Sequence, residues 1–500
     1  MAAPESPRPS RTYGNWRRPV SPGLGGLGAL GTALLLVGAV VVLLALMSGG
    51  LGPATGVGAG LVTVLVLIVV RDRYHRSGVD RLLTWLGWAL TTASGSHLYR
   101  SGPLSGLPLG RCQLPGIAAV SRLSEWSDPY GRPFALLELP TTRHITVVLA
   151  ADPDGAALVD EDQIDSWVAH WGAWLTSLGN EPDIVAAGLI VETAPDTGAR
   201  LRREVAAHLD PAAPAVARQM LTEAVADYPH GSAGVRVWIT VTLTTARPGR
   251  RIPVADAARD VAVRLPGLLA RLAATGAGAV RPVPAQELCE AIRVAYDPAA
   301  AAVIDPARAA GDAPALRWDD VGPVTAHAGY RDYIHDDAVS VSWVMSSPPR
   351  GEVHATVLTQ LLAPHPDVAR KRVALLYRPI PAAVTARIVE RDRRAADFRA
   401  TTGRRPSARV LAEQRAMAAT AAEEARGAGL VDVSLVVTAT VTSPDRLPAA
   451  LAAVDHLGAT ARLQLRPAYG HQDSAFAAAL PLGLVLAAHQ RVPTDIRRLL

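Results

Sequence analysis

The chain has 500 residues, 49% of them apolar and 19% charged, which leaves room for a membrane segment and two or three domains. Its net charge of +5 is spread through mixed clusters such as "RDRR" and "DEDQID". No basic stripe with interleaved aromatics stands out, so sequence-specific nucleic-acid binding is not expected.

The 50 basic residues include one lysine, Lys371; the others are arginines, a coding bias before it is a functional signal. Cys112 and Cys289 lie far apart, outside any CxxC or ligand-spaced histidine, so they read as free thiols in a reducing compartment.

Residues 1–26 form a basic N-terminus with Arg8, Arg11, Arg17 and Arg18. An uncharged run from Leu27 to Met47 follows, about 30 Å long as a helix and enough to cross a bilayer core. After "SGG", a second uncharged run extends from Leu51 to Val70. The turn between them is too short to carry a domain, so residues 27–70 read as a transmembrane helical hairpin. Arg71, Arg73, Arg76 and Arg81 follow it. Positive charge on both flanks places both ends in the cytoplasm of a plasma-membrane protein that crosses twice. A cleaved signal would want a shorter apolar core and no second run ending in "RDRYHR".

Residues 71–133 are expected to hold a juxtamembrane helix and a Gly/Pro-rich linker. The segment "VDRLLTWLGWALTT", 79–92, carries Trp85, Leu86 and Trp88. It reads either as an amphipathic helix lying on the headgroups or as the first packed helix of the soluble part. The stretch "HLYRSGPLSGLPLGRCQLPG" has linker composition.

Two distant segments then match. "VRVWITVTLTTARPGR" begins at Val235 and "VDVSLVVTATVTSPDR" at Val431; they share Val237/Val433, Val241/Val437, Thr242/Thr438 and Thr244/Thr440. Both alternate as a strand with one buried face does. Each is followed by a helical run and then by an "RP" dipeptide, Arg281-Pro282 and Arg466-Pro467, before another helical segment. Upstream, "HITVVLA" and "DIVAAGLIVET" read as strands around a helix, as "AVSVSWV" and "ARKRVALLYRP" read as strands in the second half. Residues 381–427 read as a hairpin of two helices. The fold class is therefore mixed α/β: the hairpin, then two tandem mixed-sheet repeats of ferredoxin-like type with covering helices. The boundaries are 134–296 for the first repeat, 297–336 for an inter-repeat linker, 337–483 for the second repeat and 484–500 for a tail.

Trp167, Trp171 and Trp174 share one helix face and read as core, with a partner-binding stripe as the alternative. "YRDYIHDD", 330–337, reads as a solvated loop, with a metal site as the alternative. Asp160, Glu161, Asp162 and Asp165 suit a helix N-terminus.

No catalytic, cofactor or metal site is expected. A Walker loop needs a lysine after a glycine-rich turn, and Lys371 sits in "DVARKRVALL". "HGSAG" at 230–234 lacks the first glycine of a nucleophile elbow, and HExxH is absent.

"YGNWRRPVSPGLGGLGALG", "HLYRSGPLSGLPLGRCQLPG", "DPYGRPFALLELPTTRHITVVL" and "SWVAHWGAWLTSLGNEP" together resemble an actinobacterial integral-membrane family of conjugation or type IV-like secretion loci. "HQDSAFAAALPLG", 471–483, resembles the end of the N-terminal domain of conjugation ATPases, and the hairpin looks like the small membrane subunit that accompanies them. The resemblance implies a membrane scaffold without the motor, partnered by the bilayer, by a separate ATPase and by other channel subunits in an oligomeric assembly. Its implied contacts are Trp85 and Trp88 at the membrane interface or a partner, and Trp167, Trp171 and Trp174 at a partner. An EccE-like component of type VII secretion is the second resemblance, and a membrane-tethered enzyme a third reading.

Overall fold

A computed structural model describes residues 11–14, 16, 28–74, 76–102, 105, 111–156, 158–196, 198–227, 233–247, 250–312, 314–349, 351–402 and 406–490. Arg8, Arg17, Arg18, the "HGS" of 230–232 and the tail from 491 lie outside the described residues.

Helices α1 (Gly28–Gly49) and α2 (Leu51–Val69) pack on each other as a hairpin and are apolar on every side. A helix that is apolar all round belongs in a protein core or in lipid. Only 6% of either span is covered by the rest of the protein, and both are long enough to cross a membrane. A tight turn leads into α3 (Gly78–Ala93), where the Ser77 hydroxyl caps the helix by accepting from the Asp80 amide at 3.1 Å.

The chain after α3 continues with β1 (Leu98–Arg100) and β2 (Arg122–Ser127). The first repeat then runs β3 (Pro133–Leu139), β4 (His144–Asp152), α4 (Glu161–Gly179), β5 (Ile184–Pro195), α5 (Ala199–His208), α6 (Ala215–Asp227) and β6 (Ala233–Thr244). A small hairpin, β7 (Ala246–Arg247) and β8 (Arg250–Arg251), precedes α7 (Val254–Leu272), β9 (Ala279–Pro282) and α8 (Ala285–Tyr296). Between the repeats lie α9 (Ala301–Ala310) and β10 (Thr325–Ala328). The second repeat has β11 (Tyr333–His335), β12 (Ala338–Ser347), α10 (Thr359–Leu362), β13 (Arg370–Pro379), α11 (Ala382–Thr402) and α12 (Ala408–Ala425). It closes with β14 (Val431–Val441), α13 (Leu447–Thr460), β15 (Gln464–Pro467) and α14 (Gln472–Ala478).

Both repeats have one strand order. In the first, β9 pairs β4, β4 pairs β6 and β6 pairs β5; in the second, β15 pairs β12, β12 pairs β14 and β14 pairs β13, all antiparallel. Numbering each set by chain order gives 4-1-3-2, the ferredoxin-like arrangement. The added strands correspond too: β3 shares an edge of β4 with β9, as β11 shares an edge of β12 with β15.

The repeats are not separate bodies on a linker. Strands β5 and β13 pair antiparallel and fuse everything into one thirteen-stranded sheet. Leu189 lies opposite Ile239, and Leu375 opposite Leu435. Ile239 and Leu435 are equivalent in the Val235/Val431 match, so Leu189 and Leu375 are equivalent as well. They pair with each other, and an internal two-fold axis passes between them.

Two sequence expectations are corrected here. Residues 98–100, 325–328 and 333–335, expected in linkers, are the strands β1, β10 and β11 that extend the sheet. "YRDYIHDD" is not a solvated loop: Tyr333 and His335 are 2% and 0% exposed. Within β11 Tyr333 and His335 point inward and Ile334 between them is exposed, while Arg331 and Asp337 face solvent from outside the strand.

One sheet face carries Val191, Ile239, Val373 and Val437 under α4, α7, α10 and α13. The opposite face carries Ile190, Trp238, Ala374 and Val436 under α8, α14 and the chain that follows it to Leu484.

Candidate functional site

Two regions concentrate functional chemistry: the junction between hairpin and sheet, and a polar layer inside the sheet. At the junction, Asp72 shapes the turn by accepting from the Tyr74 and Arg76 amides at 2.8 and 2.9 Å. Its own amide donates to the Arg76 carbonyl at 2.9 Å. The Arg76 guanidinium turns inward onto the Asp80 carbonyl at 2.9 Å and the Thr84 hydroxyl at 2.5 Å, while Arg71 and Arg73 stay exposed. The turn is docked on the second repeat, because Gln464 of β15 donates to the Arg73 carbonyl.

Helix α3 has two faces. Thr84 and Trp88, one turn apart, lie against Gly470. Gly470 has φ +71° and leaves no room for a Cβ without pressing on both. The Trp88 ring meets Tyr330 edge-on at 5.3 Å, and Tyr330 stacks on Tyr469 at 5.5 Å. On the other side Leu82, Leu83, Trp85, Leu86 and Leu90 are exposed. The structure thus divides the residues expected at the membrane interface: Trp85 and Leu86 face out, and Trp88 packs inward. The three tryptophans of α4 are not brought together with them. Trp174 is 2% exposed, the Trp171 ring lies tilted against it at 4.8 Å and meets Tyr377 edge-on, and Trp167 lies against Gly276.

Inside the sheet, equivalent hydroxyls pair in both repeats. Thr146 meets Thr242 at 3.0 Å, and Ser342 meets Thr438 at 2.9 Å. The second repeat adds Ser340–Thr440 at 2.7 Å, with His335 Nε2 at 2.8 Å from the Ser340 hydroxyl. His335 Nδ1 faces the Tyr296 carbonyl, and burial pushes the imidazole pKa down to about 4. A serine beside a histidine is the pairing of a nucleophile and its base. Here both are 0% exposed, so no substrate reaches them, and the chain of hydrogen bonds satisfies buried polar groups.

The seam between repeats is charged. Arg370 donates to Glu192 at 2.8 Å, and Arg372 lies 3.8 Å from the same carboxylate. The Arg372 guanidinium sits 4.6 Å over the Phe476 ring. Its three nitrogens have no hydrogen-bond partner, and burial lowers its pKa to about 10. Lys371 points to the opposite face and donates to the Ala363 carbonyl at the end of α10, at 2.5 Å; burial pushes it down to about 8. The chain's one lysine is therefore a core residue. Cys289 is buried, and its thiol is pushed up to about 12. Among the described residues no group of three or more metal-ligating side chains occurs.

Sequence reasoning missed Gln464, Gly470, Tyr330 and Tyr469 at the junction, since each lies hundreds of positions from the segment it meets. The paired threonines were visible in the repeat match, but not their mutual hydrogen bonds.

These features define a class: two helices long and apolar enough to cross a membrane, docked through an ordered turn on twin ferredoxin-like repeats. Residues 20–80, which include both helices and the juxtamembrane turn, match a family described as "Domain of unknown function (DUF8461)". No curated protein matches the chain.

Proposed function

We propose that this protein is a non-catalytic, membrane-anchored scaffold subunit of a bacterial secretion or conjugation apparatus that docks a separate ATPase on the cytoplasmic side. The observation that carries the reading is the tethering of the hairpin at both ends. Before α1, Tyr13 bridges to Val353 and its hydroxyl donates to Asp165 at 2.7 Å. After α2, the turn rests on Gln464 and α3 rests on Gly470 and Tyr330. Both flanks return to one body, which suits two crossings with both ends on one side. Basic flanks favour the cytoplasm for that side.

A rigid joint between anchor and sheet transmits position, which is what a scaffold does. Lys371 supports a structural role, since its amine is engaged in the core and unavailable to a phosphate. The outward face of α3 adds an apolar strip at the foot of the hairpin, suited to the boundary of the bilayer. The test is purification of the full chain in mild detergent. A hexameric ATPase and further channel subunits are expected to accompany it. ATP turnover by the isolated chain, or protease access to the second repeat from outside intact cells, overturns the proposal.

A further inference from the structure

Beside the juxtamembrane turn, Ser347, Pro348, Arg462, Leu463 and Gln464 line an open groove of about 460 Å³. Its wall is shared with the membrane anchor, because Gln464 holds the Arg73 carbonyl. Arg73 lies a few residues beyond the end of α2, so the groove opens where the apolar span stops. Polar headgroups occupy that level of a bilayer.

The charge there is mainly basic. Arg71 and Arg73 from the turn and Arg462 from the end of α13 are exposed, and Arg466 of β15 stands close to Arg76. Burial, and then the neighbouring Arg76 guanidinium, hold Arg466 below the usual arginine range. The nearby carboxylate, Asp72, is engaged with the backbone of its own turn. Among the described residues, none of these guanidiniums is in an ion pair. Arg466 donates to the Pro467 carbonyl and Arg462 to the Glu352 carbonyl, both neutral partners, and Asp72 offsets only part of the burial and of the Arg76 charge at Arg466.

We propose that this groove is a binding site for the phosphate of an anionic phospholipid headgroup, held between Arg462 and Arg466 of the second repeat and Arg73 of the turn. The site rests on the membrane reading above and deepens it. It joins a lipid to both the anchor and the sheet, so the lipid fixes the angle between them. The occupant is a lipid and not a free anion because the apolar span of α2 ends four residues before Arg73, at the wall of the groove, where acyl chains would lie. Basic side chains at such a surface favour anionic over zwitterionic lipid.

The test uses the full chain in mild detergent, probed by native mass spectrometry with phosphatidylglycerol, phosphatidylcholine or inorganic phosphate. Phosphatidylglycerol should be retained about tenfold better than phosphatidylcholine. Arg466→Gln should abolish that preference. Arg462→Gln, at an exposed position that tolerates substitution, should weaken it several-fold without lowering thermal stability. Equal retention of the two lipids, unchanged preference in Arg462→Gln, or full displacement by inorganic phosphate overturns the site. Alkaline carbonate extraction separates the two readings. A chain stripped from membranes overturns the membrane reading together with this site, whereas a chain that stays but holds both lipids alike overturns the site alone.

Discussion

Glu192 shows how a single residue ties the repeats together. It lies on β5, 178 positions from the arginine that pairs with it, and all three members of the cluster are buried. Burial alone would raise its carboxyl pKa; Arg370 and Arg372 outweigh burial and hold it below the ordinary value. A carboxyl depressed in the folded state contributes stability above its unfolded pKa, and that contribution disappears as pH falls through the folded value. Glu192→Gln leaves two buried guanidiniums facing a neutral amide. It should cost about 3–5 kcal/mol in denaturant unfolding of the full chain in detergent. As pH falls from the ordinary carboxyl range through the lower folded value, the difference between variant and parent should shrink, and it is lost once the folded carboxylate is protonated. Arg372→Met should cost far less, since Glu192 keeps Arg370 and the methionine replaces a cation whose nitrogens have no hydrogen-bond partner. The alternation of "ARKRVALLYRP" marks a strand and puts Arg370, Arg372 and Ala374 on one face. It does not mark that face as buried, because the compensating carboxylate comes from the other repeat.

At the scale of elements, the strands and long helices were legible in the sequence, and the contacts of α3 were not. Strand periods are local, so the VxVxxxVTxT match located β6 and β14 and implied a common unit. The sheet edges were misread because "HLYR" and "YRDYIH" are three-residue strands embedded in Gly/Pro-rich or charged text. Composition signals a loop there, and pairing with a neighbouring strand overrides it. Helix α3 left two readings open because it has two faces. Thr84 and Trp88 are docked on the second repeat, and Leu82, Leu86 and Leu90 are exposed on the other side. Nitroxide labels introduced through Leu82→Cys, Leu86→Cys and Val263→Cys in liposome-embedded chain test this division. Positions 82 and 86 should be more accessible to oxygen than to a polar nickel reagent. Position 263, also exposed but on α7, should show the reverse preference. A polar preference at positions 82 and 86 would mean that this face is open to water.

At the scale of the molecule, the repeats are joined twice, and the two joints differ in kind. One is the ladder through Leu189 and Leu375, which any pair of exposed ferredoxin-like edges could form by symmetry. The other is asymmetric. The chain after β15 crosses from the second repeat, where Gln472 accepts from the Ser342 amide at 2.8 Å, to the first, where the Thr242 hydroxyl donates to the Gly483 carbonyl at 2.9 Å. This strap covers Arg372 with Phe476 and seals the hydroxyl pairs of both repeats. Gly483 is the point where it presses closest. Its φ is +60°, and a Cβ would stand 2.4 Å from the Thr146 and Thr242 side chains. Gly483→Val therefore combines a left-handed backbone with a clash against a buried β-sheet floor, and it should destabilise the protein by about 2–4 kcal/mol. If the strap is the second clamp, the loss has a location: limited proteolysis should cut the variant first between 470 and 490, while the hairpin stays in the membrane fraction. Equal destabilisation with no new cleavage there would mean that the ladder alone holds the repeats together and that the strap merely fills space above it.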